Sequence, residues 1–243
     1  MSGVALGQTR FDTAHAATLA AQYAGADAPT LLAGMINREF KGQIALASSF
    51  GTEAAVLLHL VAQANPSTPV VFLDTGKLFG ETLRYRDQLI KRLGLKDVRS
   101  VEPDAAELEK HDAEGVLWLK DADACCRIRK VEPLARALKP FAAWINGRKR
   151  FQANTREIIP AVENDGERIK VNPLAEWTPA DIAAYFERHD LPRHPLEADG
   201  YKSIGCMPCT DRVAPGEDPR AGRWRGRDKT ECGIHMPVTA RGE

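Results

Sequence analysis

The sequence predicts a parallel α/β fold, chiefly from the pattern of its first hundred residues. Two short apolar runs, residues 43–48 and 69–74, flank residues 54–63, whose apolar positions recur with helical spacing. Strand, helix and strand in this order form a βαβ unit, in which two parallel strands are joined by a right-handed crossover. With 243 residues, of which 44% are hydrophobic, the chain is long enough to bury the core of one such domain.

The other elements continue the alternation along the chain. Residues 10–40 are rich in alanine and amphipathic, and they predict one or two helices before the first strand. Asn65 and Pro66 end the first crossover helix, because the residue before a proline is disfavoured in a helix. The later pattern predicts a helix at 79–93, a strand at 97–101, a helix at 124–138, a strand at 141–145 and a helix at 178–188.

Composition narrows the class of protein. The 33 basic and 33 acidic residues give no net charge, which argues against binding to nucleic acid through a broad basic surface. The first residues lack a basic segment followed by an apolar one, and no apolar run is long enough to span a membrane. We therefore expect a cytoplasmic protein with neither a membrane nor a nucleic-acid partner. After about residue 190 the sequence becomes rich in Pro, Gly and Arg, which predicts an irregular basic tail.

Three predicted loops could bind anions, since ligands of such sheets lie beyond the carboxyl ends of the strands. Small residues and backbone N–H groups at a helix start suit phosphate or sulfate, and arginine suits oxyanions. Each loop could equally be an ordinary turn or a solvated charged segment. The candidate binding residues are Ser48, Ser49, Gly51 and Glu53 in the first loop, Asp74, Thr75 and Gly76 in the second, and Gly147 and Arg156 in the third.

The five cysteines divide into four and one. Cys125 and Cys126 are adjacent, and Cys206 and Cys209 form a C-x-x-C pair, a common half-site for a metal. Soft thiolates suit zinc, copper(I) or an iron–sulfur cluster, and adjacent cysteines fit the larger cluster better than a single zinc ion. The odd number of cysteines argues against a disulfide framework.

Cys232 stands apart in the segment 229–235 and is a candidate nucleophile. Lys229 and His235 are nearby in sequence and could activate the thiol as cations, while Gly233 permits close approach of a substrate. An exposed, incidental cysteine on a tail is the alternative.

Taken together, these motifs resemble those of the assimilatory sulfonucleotide reductases, over about residues 40–236. Within that family the four additional cysteines resemble those of the adenosine 5'-phosphosulfate (APS) reductases that hold a 4Fe-4S cluster. The resemblance implies an adenine-nucleotide α-hydrolase-like (PP-loop) fold, with a nucleotide-binding domain at 1–205 and a cysteine knuckle and catalytic tail at 206–243. It implies APS as substrate and a cluster on Cys125, Cys126, Cys206 and Cys209.

The resemblance also implies a reaction. Cys232 would attack the sulfur of APS, expel AMP and carry the sulfonate, and a dithiol protein such as thioredoxin would release it as sulfite, in sulfate assimilation. The implied anion-binding side chains are Lys130, Arg156, Arg220 and Arg223.

Three other functions stay open from the sequence, together with assembly into a homo-oligomer. These functions are a reductase of 3'-phosphoadenosine 5'-phosphosulfate, a PP-loop ATP pyrophosphatase or RNA sulfur-transfer enzyme, and a zinc-stabilised nucleotide-binding protein. The ATP-cleaving function is disfavoured because the loop 49–54 lacks one Gly, the Asp and the final Ser of the Ser-Gly-Gly-x-Asp-Ser pattern.

Overall fold

The fold is built on one six-stranded sheet. The structure, a computed structural model, describes residues 12–152 and 156–235. The strands run in the spatial order β3-β2-β1-β4-β6-β5, and all neighbours are parallel except β5 and β6. Their bounds are Ile44–Ser48 for β1, Val70–Leu73 for β2, Val98–Val101 for β3, Ala143–Ile145 for β4, Val162–Asn164 for β5 and Ile169–Val171 for β6.

Helices occupy most of the connections. The α-helices of the described residues are α1 (Thr13–Gln22), α2 (Ala28–Gly34), α3 (Ala54–Ala64), α4 (Gly80–Leu93), α5 (Ala105–Asp112), α6 (Leu117–Lys120), α7 (Ala122–Cys126), α8 (Glu132–Leu138) and α9 (Pro179–Arg188). Their ends follow local chemistry. For example, Thr178 and Asp181 form a reciprocal capping box at the start of α9, and Gly94 ends α4 with a left-handed φ of 64°.

The core lies on both faces of the sheet because side chains of a strand alternate between faces. In β1, Ile44 and Leu46 belong to the larger apolar cluster, which also contains buried residues of α1 to α4 and α9. Ala45 belongs to a smaller cluster with Trp144 of β4 and residues of α8. The protein therefore has three layers, with helices on each side of a sheet, as the βαβ pattern predicts.

A π-helical turn interrupts the helix that was predicted at 124–138. The segment begins as α7, widens into the π turn Arg127–Val131 and continues as α8. Cys126, Arg127 and Glu132 keep right-handed helical backbone angles across both junctions, so the chain does not leave the helical path. Cys125 and Cys126 end the first part, and Lys130 lies inside the wide turn. Such π turns are frequent at functional sites.

The structure adds elements that the sequence pattern did not predict. Strands β5 and β6 form an antiparallel hairpin at the edge of the sheet, so the sheet is mixed rather than wholly parallel. Each has only three residues, too few to show a period. The part of the tail within the described residues has no α-helix or long strand, and its contacts include a bridge between Leu78 and Cys206. Within those residues, no helix is both long and apolar enough to cross a bilayer.

Candidate active site

The main cavity lies where the direction of the sheet connections reverses. Strand β1 has β2 on one side and β4 on the other, so the loops that follow these strands diverge and leave a crevice between them. A cavity of about 240 Å³ occupies this crevice, and the tail closes one side of it through Glu231, Cys232, Ile234 and His235. Every predicted anion-binding residue lines it except Asp74 and Gly76.

The loop after β1 is held in a strained conformation. Phe50 has a φ of 49°, a left-handed value that favours glycine. Its ring is fully buried and meets Phe72 edge to face with centroids 5.4 Å apart, which offsets the cost of the backbone. The hydroxyl of Ser48 accepts a bond from the Phe50 N–H at 3.2 Å. This arrangement presents Ser48, Ser49 and Gly51 to the cavity.

Glu53, at the start of α3, is engaged by the loop that follows β4. Lys149 Nζ donates to Glu53 Oε2 at 2.7 Å, and the Gln152 side-chain amide donates to the same oxygen at 3.0 Å. Burial lowers the pKa of Lys149, and the carboxylate of Glu53 opposes that effect. The pair therefore ties the loops after β1 and β4 together beside Gly147.

The loop after β2 contributes Thr75 and Leu78 to the cavity. Thr75 is buried, with its hydroxyl 3.2 Å from the Sγ of Cys206. Asp74 accepts the backbone N–H of Gly76 at 3.1 Å, and Gly76 has a φ of 66°. Asp74 and Gly76 thus shape the turn. The prediction that they bind the anion is not supported, because neither residue lines the cavity.

Of the six cationic residues that line the cavity, Arg148 and Lys149 pair with Glu163 and Glu53, and the four predicted ones lie in two pairs. Arg156 and Arg220 lie on one side, where both contact the carboxylate of Glu231. Lys130 and Arg223 lie towards the cysteines. Burial lowers the pKa of Lys130, but the sulfurs of Cys206 and other nearby cysteines outweigh it and raise that pKa above its ordinary value. Lys130 is therefore a half-buried cation.

The other four cysteines line a second, smaller cavity, and Lys130 is part of the walls of both cavities. Burial raises the pKa of Cys125 to about 11 and that of Cys126 to about 12. Burial acts the same way on Cys206, but Lys130 and the Thr75 hydroxyl lower its pKa below the ordinary value. All four are free thiols, and in the described ranges no group of three or more ligand side chains could hold a single metal ion.

Cys232 is half-buried at the wall of the main cavity, and its two expected activating neighbours are engaged with other residues. Lys229 pairs with Asp123 of α7. His235 stacks on Trp144, with centroids 5.8 Å apart and rings within 4° of parallel. Burial and nearby cations lower the pKa of His235 well below its usual value, so it is neutral. The expectation of a cationic His235 is therefore wrong, and the cations that act electrostatically with Cys232 are the half-buried Lys130 and Arg223.

Sequence reasoning missed four buried charged residues that shape the site: Arg148 and Lys149 line the cavity, and Arg129 and Lys170 lie behind its walls. Arg129 donates to the carboxylate of Asp112 and, at 2.7 Å, to the backbone carbonyl of Thr75. Lys170, in β6, donates to the backbone carbonyl of His235 at 3.1 Å and lies 5.1 Å from the centroid of the Trp144 ring. The sequence does show Lys170 between two apolar residues, Ile169 and Val171, which would indicate a lysine within a strand. The run is too short for a strand to be recognised.

Comparison with known proteins agrees with this architecture. Residues 43–212 match the phosphoadenosine phosphosulfate reductase domain. The chain is 53% identical over 220 residues to the adenosine 5'-phosphosulfate reductase of Chelativorans sp. (strain BNC1), covering 90% of each chain. It is 43% identical over 213 residues to the phosphoadenosine 5'-phosphosulfate reductase of Gloeobacter violaceus, covering 86% of this chain and 88% of that one.

Solved structures agree on the fold. The phosphoadenylyl-sulfate reductase of Candida auris superposes with a TM-score of 0.70 at 24% identity, over 85% of this chain and 100% of the other. The FMN adenylyltransferase of Candida glabrata superposes with a TM-score of 0.53 at 17% identity, over 79% and 69%. These two support the PP-loop-like architecture alone. With the domain match and the curated relatives, they lead to one conclusion: the chain belongs to the phosphoadenosine phosphosulfate reductase family of enzymes.

Proposed function

We propose that this enzyme reduces APS to sulfite and AMP through a sulfonate carried on Cys232. The observation that carries the proposal is that the Cys232 residue lines the same cavity as the loops after β1, β2 and β4 and as the four predicted cations, Lys130, Arg156, Arg220 and Arg223. The choice of APS is supported by relatives with 53% and 54% identity that are named adenosine 5'-phosphosulfate reductases.

The first step is a displacement at sulfur. The Cys232 thiolate attacks the sulfate sulfur, the bond from that sulfur to the bridging oxygen breaks, and the electron pair leaves with AMP. Because both reactants are anionic, the site must neutralise the sulfate and phosphate oxygens before they meet the thiolate. Lys130 and Arg223 border the cavity near Cys232, and both are half-buried, where a cation acts more strongly than in bulk water. Arg156 and Arg220 supply a second pair.

The second step releases sulfite and requires a reductant. A thiolate of a dithiol protein resembling thioredoxin attacks the Cys232 sulfur, sulfite departs with its electron pair, and the second thiol resolves the mixed disulfide. For this attack the tail must expose Cys232. We infer that the tail opens after the first step. Identical protease protection of residues 211–243 with and without AMP would contradict that movement.

The four remaining cysteines fit a 4Fe-4S cluster. They line one cavity. Beside it, the Thr75 hydroxyl lies 3.2 Å from the Cys206 sulfur, and Arg227 Nη1 lies 4.0 Å from the Cys209 sulfur. Donors aimed at sulfur are the usual surroundings of such ligands. When bound, the cluster would order the site and tune its electrostatic field without changing oxidation state, since the thiols supply the electrons. Assays for iron and sulfide test this assignment, and one zinc ion without sulfide would overturn it.

Mass spectrometry of the protein after incubation with APS tests the reaction itself. We expect the added mass of one sulfonate on Cys232, its absence in Cys232→Ser, and its loss from the native protein on addition of reduced thioredoxin. Arg225→Lys is the control, because Arg225 pairs with the exposed Glu217 outside the cavity and should leave the adduct unchanged. No adduct on the native protein would refute the mechanism.

The 3'-phosphorylated nucleotide is the second candidate substrate. The Gloeobacter violaceus relative carries the name of that activity at 43% identity. Comparison of kcat/KM for the two nucleotides decides between them, and we expect the higher value with APS.

A further inference from the structure

Glu231 occupies the anion-binding face of Arg156. Arg156 Nε donates to Glu231 Oε1 at 2.7 Å, and Nη2 donates to Oε2 at 2.8 Å. The remaining nitrogen, Nη1, donates to the Gln152 side-chain carbonyl at 2.6 Å. The side chain of Arg156 is 8% exposed. Paired in this bidentate way, the Nε and Nη2 face of Arg156 is occupied, so it cannot at the same time bind a phosphate or sulfate through that face.

The same carboxylate also neutralises Arg220. Arg220 Nη2 lies 3.5 Å from Glu231 Oε2 and donates to the backbone carbonyl of Thr230 at 2.7 Å. By contrast, Lys130 and Arg223 form no ion pair with a carboxylate in the parts of the chain that the structure describes. Arg148 and Lys149 are paired with Glu163 and Glu53, so a substrate with two anionic groups meets one pair of cations without a carboxylate partner and one pair that the tail has already filled.

The volume of the cavity also indicates that Glu231 fills part of the anion-binding site. With Glu231 among its walls, the cavity measures about 240 Å³. Pockets for small molecules usually measure about 300–1,000 Å³. Withdrawal of the Glu231 side chain would enlarge the cavity and uncover Arg156 in the same movement.

We propose that Glu231 is an internal substitute for an anionic group of the substrate, bound in the free enzyme and displaced when the substrate enters. The inference rests on the proposed function. The exchange is favourable because Arg156 always has an anionic partner, whereas leaving a buried charge without its partner is costly. Glu231 precedes Cys232 in the chain, so its displacement changes the position of the nucleophile only when an anion has arrived.

A purely structural role for Glu231 gives the opposite expectation. If the ion pair with Arg156 only holds the tail closed and persists in the complex, removing the carboxylate charge loosens the tail and weakens binding. If the carboxylate competes with the substrate, removing its charge strengthens binding. The sign of the change in affinity separates the two roles.

The test measures the Kd of APS by calorimetry in the unreactive Cys232→Ser protein, with and without Glu231→Gln. We expect Glu231→Gln to lower the Kd by about tenfold, because a neutral amide loses the charge-assisted bidentate contact and competes poorly. Glu231→Asp keeps the charge and should stay near the parent value. Glu217→Gln, in the same tail and paired with Arg225 at 3.1 Å, is the matched control and should change nothing.

The outcomes are distinct. An unchanged or higher Kd in Glu231→Gln, with iron content and circular dichroism preserved, would overturn the inference and leave the proposed function intact. No binding of APS to either protein would refute the proposed function, and the inference with it. In the otherwise native enzyme, a lower KM for Glu231→Gln agrees with competition, whereas a raised KM with reduced kcat contradicts it. Repeating the titration with AMP identifies the group that Glu231 replaces, since only the phosphate is then present.

Discussion

Replacement of Lys170 by methionine should change how the stability of the protein depends on pH. Lys170 is 2% exposed and lies between Glu163, the Trp144 ring and the carbonyl of His235. Burial, reinforced by Arg148, lowers the pKa of Lys170 to about 8 in the folded protein. In the unfolded chain a lysine has a pKa of about 10.4.

The size of the effect follows from these two pKa values. Because the folded pKa is the lower one, the unfolded state binds more protons between them, and the free energy of unfolding rises with pH. The contribution of Lys170 is fully present only above the unfolded pKa and is lost as the pH falls through about 8. With one pKa unit worth about 1.4 kcal/mol, the gain between pH 7.5 and pH 9.5 is about 2 kcal/mol.

The assay is unfolding by urea at several pH values, followed by tryptophan fluorescence under anaerobic conditions. The measured quantity is the difference in free energy of unfolding between the native protein and Lys170→Met, which cancels the other titrating groups. We expect the native protein to gain about 2 kcal/mol relative to the variant from pH 7.5 to pH 9.5. Lys91→Met, on the exposed surface of α4, is the control and should give a constant difference. A constant difference for Lys170→Met as well would refute the reasoning.

Two further predictions concern other sites. A Cβ at residue 205 would lie 2.4 Å from the Arg223 guanidinium, so Gly205→Ala should displace Arg223 and lower kcat/KM for APS at least tenfold by the usual worth of an oriented charge, while Gly80→Ala should have little effect. Normal kinetics of Gly205→Ala would show that Arg223 does not serve the substrate. Burial lowers the pKa of His194 to about 4. Because the folded pKa is lower than the unfolded one, the unfolded state takes up more protons as the pH falls. The free energy of unfolding should therefore decrease by about 2 kcal/mol between pH 7 and pH 5. Urea unfolding should show this loss in the native protein and not in His194→Asn, and equal losses in both would contradict the prediction.

The repeated βαβ elements were predictable because their physical signals are local and long. The apolar period of α3 and the capping residues of α9 each fix an element within a few residues of its observed bounds. Strands β5 and β6 were not predictable in this way. Each has three residues, and their pairing depends on the turn at Asp165, whose carboxylate also accepts the Trp144 indole N–H at 2.8 Å. That contact joins residues 21 positions apart, so it produces no periodic pattern in the sequence from which the strands could be predicted.

The residues that line the candidate site were more predictable than the ion pairs that they form. The carboxyl ends of parallel strands gather the loops after β1, β2 and β4 by topology alone, so Ser48, Thr75 and Gly147 meet as expected. Which cation faces which carboxylate depends on how the tail folds back, as in the contact of Arg156 with Glu231 across 75 positions. Nearness in sequence was misleading for His235, because stacking on Trp144 buries its ring and keeps it neutral.

The π turn at Arg127–Val131 sets the angular phase between two parts of one helical segment. Successive residues of an α-helix are rotated by about 100°, and a π turn holds one residue more than the α-helical turn it replaces. Deleting one residue there would turn Cys125 and Cys126 by about 100° relative to Leu134 and Leu138 of α8, which are packed against the sheet. The cysteine pair would then face away from Cys206. One inserted residue thus lets the same helical segment face the sheet core and the cysteine cavity at once.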